Sequence, residues 1–221
     1  MQADKTRLLL VDDHPVVCQG LIEEVEADGD INVIGVATSM AAAIALAAQT
    51  RPEIVLTDMH LPDGTGAEVC HQVRLQGNGI RVLILTGFDE DCDLWEALDA
   101  QADGVIYKSA DVGQVAQAVR QVMAGQRLWT DEQLQRAQRW WDDVGGVLNM
   151  LTAREREVLN LVAQGLANKD IATTLQIGLP SVETHLSHLL QKLDLKSRRE
   201  MTAFVWRHRL TDCLQKSPQK S

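Results

Sequence analysis

The chain has 221 residues with an apolar share of 45%, a charged share of 24% and a formal net charge of -10. That balance excludes disordered, collagen-like and coiled-coil classes and favours two domains at roughly 100 to 200 residues each. No window approaches the roughly 18 apolar residues of a membrane span, and the start MQADKTRLLL lacks the basic stretch, apolar run and small-residue site of a secretory signal, so a cytoplasmic protein is expected.

Strand-like apolar runs occur at Arg7 to Val11, Ile31 to Val36, Ile54 to Thr57, Arg81 to Leu85 and Gly104 to Tyr107. Helical stripes lie between and after them, Val17, Leu21 and Val25 in one and Val112, Val115, Val119 and Val122 in another. This alternation predicts an α/β domain, a five-stranded doubly wound parallel sheet covered on both faces, over residues 1–124. In such sheets chemistry collects beyond the carboxyl ends of the strands. Residues 125–150 read as a linker with a short polar helix from Asp131 to Trp141. Its Trp129, Trp140 and Trp141 are expected to dock it on a neighbouring domain rather than to bind a ligand. From Thr152 onward the pattern is purely helical and predicts an all-α domain of four helices over 151–210. Thr152 and Glu155 form a capping box, Gly165 ends the first helix and Asn168 caps the second. A break at Gly178 to Pro180 precedes the third, and the fourth runs from about Arg199 to His208. Residues 211–221 form a polar tail. Cys18, Cys70, Cys92 and Cys213 are scattered without a CxxC pair, so reduced, packed thiols are expected.

Charge divides the chain the same way. Residues 1–149 hold 10 Lys+Arg against 24 Asp+Glu, and residues 150–221 hold 11 against 7. Only the second part is therefore suited to a polyanion such as nucleic acid.

Within the acidic part, the first predicted strand ends at Asp12 and Asp13 and the third at Asp58. Three converging carboxylates repel one another and call for a cation, and oxygen-only ligands suit Mg²⁺. Thr86 and Lys108 close the fourth and fifth strands and add a hydroxyl and an ammonium to the same edge. Together these groups can hold a phosphoryl group. A glycine-rich loop, which a flavodoxin-type nucleotide site would need, is missing after the first strand, where DDHP repels an anion. His14 and His60 read as solvated loop histidines rather than side-chain ligands.

With LLLVDDHPVV, VLTDMHLPDGTG, VLILTGF and ADGVIYKSA, residues 6 to about 124 resemble a two-component response regulator receiver domain, a flavodoxin-like fold. The resemblance implies that Asp58 is the phosphoacceptor, that Asp12, Asp13, Asp58 and the carbonyl of His60 bind Mg²⁺, and that Thr86 and Lys108 contact the phosphoryl group. It also implies a sensor histidine kinase as partner. One departure is Val105, which stands where the family commonly has an aromatic residue that rotates inward. Tyr107 lies on the same face of the strand roughly 6.6 Å further on and substitutes only approximately.

Residues 151–209 resemble the LuxR-type helix-turn-helix of the NarL/FixJ response regulators, through LTAREREVLNLVAQGLANKDIATTL and SVETHLSHLLQKLDLKSRREM. Val182, Leu186, Leu189, Leu190 and Leu193 make the apolar face of its third helix. The opposite face carries Glu183, Thr184, Ser187, His188 and Gln191, a polar stripe suited to the major groove. Lys169, Lys192, Lys196, Arg198 and Arg199 flank it as candidate phosphate grips. Relatives often carry lysine where this chain has Glu183 and a further basic residue near Ser187, and Gly178 replaces their usual serine cap. His185 and His188 lack further ligands for a metal.

The expected function is thus a cytoplasmic, phosphorylation-controlled transcriptional regulator that binds double-stranded promoter DNA as a homodimer, with no enzyme activity beyond its own phosphorylation and dephosphorylation. Met201, Val205 and Trp206 of the last helix are its expected dimer surface. Two rivals stand beside it, a protein-interaction adaptor, motivated by Glu183 and the linker tryptophans, and a phosphorylation-independent regulator, motivated by Val105.

Overall fold

The computed structural model describes residues 5–77, 79–108, 113–208, 210 and 214. It divides into two units, Met1–Ala137 and Gln138–Ser221. Val112, Cys213 and nearly all of the tail lie outside the described residues.

In the first unit, strands β1 (Thr6–Val11), β2 (Ile31–Ala37), β3 (Ile54–Asp58), β4 (Arg81–Thr86) and β5 (Gly104–Tyr107) form a parallel sheet in the order β2-β1-β3-β4-β5. Period-two alternation sends successive side chains to opposite faces. Leu9, Val11, Val55, Val82 and Ile84 pack on one side against helices α2 (Met40–Thr50), α3 (Gly66–Leu75) and α4 (Asp91–Asp99). Leu8, Leu10, Ile54, Leu56, Leu83 and Leu85 pack on the other against α1 (Pro15–Glu26) and α5 (Gln114–Met123). Because both faces are covered, the central strands are apolar throughout instead of alternating with polar residues.

Local chemistry fixes the helix starts. Pro15 pre-sets the first turn of α1, the Ser39 hydroxyl accepts from the Ala42 amide at the start of α2, and Thr65 and Glu68 form a reciprocal capping box on α3. Between β3 and α3 a two-residue hairpin pairs His60 with Thr65 and Leu61 with Gly64. Gly66 follows it closely enough that a Cβ there would sit 2.4 Å from the Asp58 carbonyl oxygen.

After α5 the chain returns to the edge strand. Leu128 donates its amide to the Asp103 carbonyl at 2.7 Å, and the Trp129 indole N–H donates to the Ala102 carbonyl at 3.0 Å. This agrees with the docking role expected of Trp129. Helix α6 (Asp131–Trp140) follows, and its Gln133 and Ala137 are buried. The expected helix to Trp141 gives way to a π-helical turn over Trp141–Gly145 and a short α7 (Gly146–Asn149). The bare Gly145 backbone lets the Trp140 and Trp141 rings lie over it, where a Cβ would be 2.5 Å from the former.

The second unit holds α8 (Ala153–Ala163), α9 (Asn168–Thr174), α10 (Leu179–Lys192) and α11 (Arg198–Arg207). The Thr152–Glu155 capping box forms as expected, and Gly165 takes a φ of 85°, the left-handed conformation that ends α8. Asn168 is not a cap. Ala167 holds that position, and the Asn168 side-chain oxygen instead accepts from the Arg198 guanidinium at 2.8 Å. Helix α11 also differs from expectation. Met201 and Val205 are 1% and 0% exposed and belong to the core, leaving Trp206, at 62%, as the outward apolar residue. Their places on one stripe are the same in sequence, but the α8–α11 packing takes two of the three. Cys18 and Cys70 are buried free thiols, as expected of them.

Candidate functional site

At the carboxyl edge of the sheet, Asp12 continues β1 and is wholly buried, while Asp58 closes β3 with only 5% exposure. Lys108 follows β5, and its Nζ donates to Asp12 Oδ2 at 2.7 Å and to Asp58 Oδ2 at 2.8 Å. Burial alone would lower the Lys108 pKa, but the bonded carboxylates outweigh it and hold the ammonium above the ordinary lysine value. The cation thus stays charged across the physiological range. Thr86 is buried at the end of β4, directly beside Tyr107 in the β4–β5 register.

Ligand atoms of Asp12, Asp13, His14 and Asp58 all lie within 4.8 Å of one another. Lys108 offsets one of three carboxylate charges, so the donor set fits a hard divalent cation. His14, read from sequence as a solvated loop residue, is exposed on its outer side but rests its Nδ1 3.1 Å from Asp12 Oδ1 and 2.8 Å from Asp13 Oδ1. Its place one residue after the acidic pair was the available signal. The His60 side chain is not one of these ligand groups; its Nε2 lies 3.4 Å from Asp93 Oδ2 and its ring stands perpendicular to that of Phe88. Cys18 donates its thiol to the Asp12 carbonyl at 3.3 Å, and burial with the nearby Asp12 charge pushes the thiol pKa up. It is an inert neighbour rather than a nucleophile.

Val105 is buried in the core and provides no rotating ring. Tyr107 instead donates its hydroxyl to Asp89 Oδ1 at 2.6 Å. Burial, with Asp89 close by, raises the phenol pKa, so Tyr107 remains a donor.

In the second unit, Val182 and Leu189 are buried and turn the other face of α10 outward. Glu183, Thr184, Ser187, His188 and Gln191 are all exposed along it. The Thr184 hydroxyl donates to the Pro180 carbonyl at 2.9 Å. Lys169, Lys196 and Arg199 are exposed around this stripe. Lys192 and Arg198 are engaged differently from the sequence expectation. Lys192 Nζ donates to Glu155 Oε2 at 2.7 Å and to the Met150 carbonyl at 3.2 Å, and Arg198 donates to Asn168 and to the Leu166 carbonyl. Each thus ties its own helix to a neighbouring segment. Glu155, legible in sequence as a capping residue, is 3% exposed and also anchors α10. Burial would raise its pKa, but Lys192 and the Thr152 donors win and lower it.

A family model for the response regulator receiver domain matches residues 8–120, and one for bacterial regulatory proteins of the luxR family matches residues 149–205. The response regulator protein VraR of Staphylococcus aureus (strain NCTC 8325 / PS 47) is 34% identical over 204 residues, which cover 92% of this chain and 98% of that protein. Among solved structures, the response regulator ChrA of a heme-sensing two-component system is 30% identical, with 93% of this chain and 98% of that chain covered and a TM-score of 0.54. A signal receiver domain of NarL from Mycobacterium tuberculosis is 31% identical over 56% of this chain and 99% of its own, with a TM-score of 0.54.

Proposed function

The chain belongs to the DNA-binding response regulators of two-component systems, a receiver joined to a LuxR-type helix-turn-helix, and on that premise we propose that phosphorylation of Asp58 controls its binding to promoter DNA. The observation that carries the assignment is Lys108, whose ammonium spans Asp12 and Asp58 in one buried pocket beside Thr86. An Asp58 carboxylate oxygen attacks the phosphorus of a phosphohistidine on a sensor kinase. A P–O bond forms, the P–N bond breaks, and its electron pair returns to the imidazole. Lys108 offsets the new negative charge, and Thr86 donates to a phosphoryl oxygen. Receivers bind Mg²⁺ at their acidic pocket. In this chain Asp12, Asp13, Asp58 and the His60 carbonyl would hold it, and when bound it neutralises phosphoryl charge. Such regulators are in general not enzymes, and the self-phosphorylation and autodephosphorylation of this pocket belong to the proposal.

We assign the receiver to residues 1–124, the linker to 125–150, the DNA-binding domain to 151–210 and a tail to 211–221, in a cytoplasmic protein. Glu183, Thr184, Ser187 and His188 read bases in the major groove of double-stranded DNA while Lys169, Lys196 and Arg199 hold phosphates, and the active form is a homodimer. Glu183 accepts from a cytosine amino group in this arrangement, and the Thr184 methyl meets a thymine methyl.

Incubation of the full chain with Mg²⁺ and acetyl phosphate is expected to add one phosphoryl group, absent in Asp58→Asn. Equal labelling of that variant overturns the assignment. Enrichment from a random duplex pool, run with and without acetyl phosphate, is expected to yield a defined sequence more strongly from the phosphorylated protein. Failure to enrich any sequence overturns the DNA reading and favours a protein-binding adaptor, and equal enrichment favours a phosphorylation-independent regulator.

A further inference from the structure

The Thr86 hydroxyl is already occupied. It accepts from the Phe88 amide at 3.1 Å and donates to the Phe88 carbonyl at 3.0 Å, so the turn after β4 holds both of its hydrogen-bonding functions. A hydroxyl held this way must leave that turn before it can serve a phosphoryl oxygen on Asp58. What grips the turn comes from 47 residues further along the chain.

Arg136 on α6 donates from Nη1 to Asp89 Oδ1 at 2.6 Å, from Nη2 to the Asp89 carbonyl at 3.0 Å and from Nε to Asp91 Oδ1 at 2.6 Å. Its side chain is only 20% exposed. The planar fork therefore fixes the backbone of the turn as well as two of its carboxylates, which a flexible ammonium cannot do as well. Tyr107 donates to the same Asp89 oxygen from β5. Two further contacts hold α6 in place. Buried Gln133, one turn before Arg136, donates to the Val105 carbonyl at 3.4 Å, and Trp129 is bonded to Ala102. Helix α6 runs on to Trp140, past the end of the first unit at Ala137.

We infer that Arg136 is a positioning residue for Thr86, a latch on the linker helix that keeps the turn after β4 closed on the Thr86 hydroxyl until Asp58 is phosphorylated. The inference rests on Asp58 being the phosphoacceptor. Moving Thr86 towards Asp58 pulls Phe88 and Asp89 away from Arg136, and so loosens α6, the covalent path to the DNA-binding domain. Linkage requires the converse: if phosphorylation opens the latch, opening the latch favours phosphorylation.

The test is the initial rate at which acetyl phosphate and Mg²⁺ label the full chain, followed by intact mass, with thermal melting as a check on folding. Arg136→Ala is expected to be labelled about fivefold faster than wild type, because the open turn is the reactive form and the variant raises its population. Arg136→Lys is expected to fall between them, because it keeps the charge and loses the fork. Asp89→Asn leaves the linker helix intact and is expected to accelerate labelling as well, which keeps the test decisive if Arg136→Ala folds poorly. In wild type, phosphorylation is expected to speed amide hydrogen exchange over residues 131–137, with no such change in Asp58→Asn given the same donor. A wild type that labels normally while Arg136→Ala and Asp89→Asn label at the same rate or slower overturns the latch and leaves the phosphoacceptor reading intact. A wild type that takes no label overturns both.

Discussion

Replacing Lys192 and Lys196 separately by alanine distinguishes a cation that builds the DNA-binding fold from one that meets DNA. Lys192 Nζ holds Glu155 Oε2 at 2.7 Å, and Glu155 is 3% exposed, whereas Lys192 is 33% exposed along its side chain. A hydrogen bond to a charged group contributes about 1.5 to 3 kcal/mol. Partial exposure of the lysine screens that figure, and Glu155 keeps its bonds from the Thr152 amide and hydroxyl at 2.8 and 2.9 Å. Lys192→Ala should therefore cost about 1 to 2 kcal/mol of stability. The sign with pH follows from Glu155. Its folded pKa lies below the ordinary 4.5, so the pair stabilises above that value, and its contribution disappears as pH falls through the lower folded pKa. The gap between wild type and Lys192→Ala should accordingly be full at about pH 7 and close as the solution is acidified from 4.5 down through the lower folded pKa. On DNA, the slope of log affinity against log salt should stay at its wild-type value for Lys192→Ala and become shallower by about 0.9 for Lys196→Ala, whose melting should change by less than about 0.5 kcal/mol. Denaturant melts across pH and a salt series on one duplex measure both. A shallower salt slope for Lys192→Ala with an unchanged melt would refute the reasoning, because the ammonium would then be spending its charge on phosphate.

Three further outcomes follow from the packing. Trp206→Glu should reduce cooperative binding to paired half-sites without changing the melt, since Trp206 is 62% exposed, whereas Val205→Asp should unfold the DNA-binding domain because Val205 is fully buried; gel-shift titration and thermal melting separate the two. Gly66→Ala should destabilise the receiver by about 1 to 3 kcal/mol and slow labelling of Asp58, as its new Cβ would press on the Asp58 backbone oxygen at 2.4 Å, and a wild-type labelling rate would contradict this. Glu183→Lys should strengthen binding to non-target DNA and steepen its salt slope by about 0.9. It should also cost about 1 to 3 kcal/mol on the true operator if Glu183 pairs with cytosine, and no change in either affinity would remove α10 from the groove.

Both domains were legible in the sequence because their signals are local or periodic. Continuous apolar runs ending in Asp12, Asp58, Thr86 and Lys108 mark strands buried on both faces, and strand order in a doubly wound sheet brings those ends to one edge. The Thr152–Glu155 capping box closes within four residues, so its partners are fixed by spacing alone. Tertiary structure decided what each charge or apolar side chain meets once several candidates share a face. Met201, Val205 and Trp206 lie on one stripe, yet only the packing of α11 on α8 determines that Trp206 stays outside. Lys192 and Lys196 look alike in sequence, and the approach of α10 to the start of α8 alone assigns the first to Glu155. Arg136 finds Asp89 and Asp91 across more than forty residues, and Asn168 gives its oxygen to Arg198 instead of capping its own helix. Periodicity specifies which face of an element is apolar, whereas the pairing of a particular side chain depends on interaxial distance and angle, which are set by the whole core packing at once.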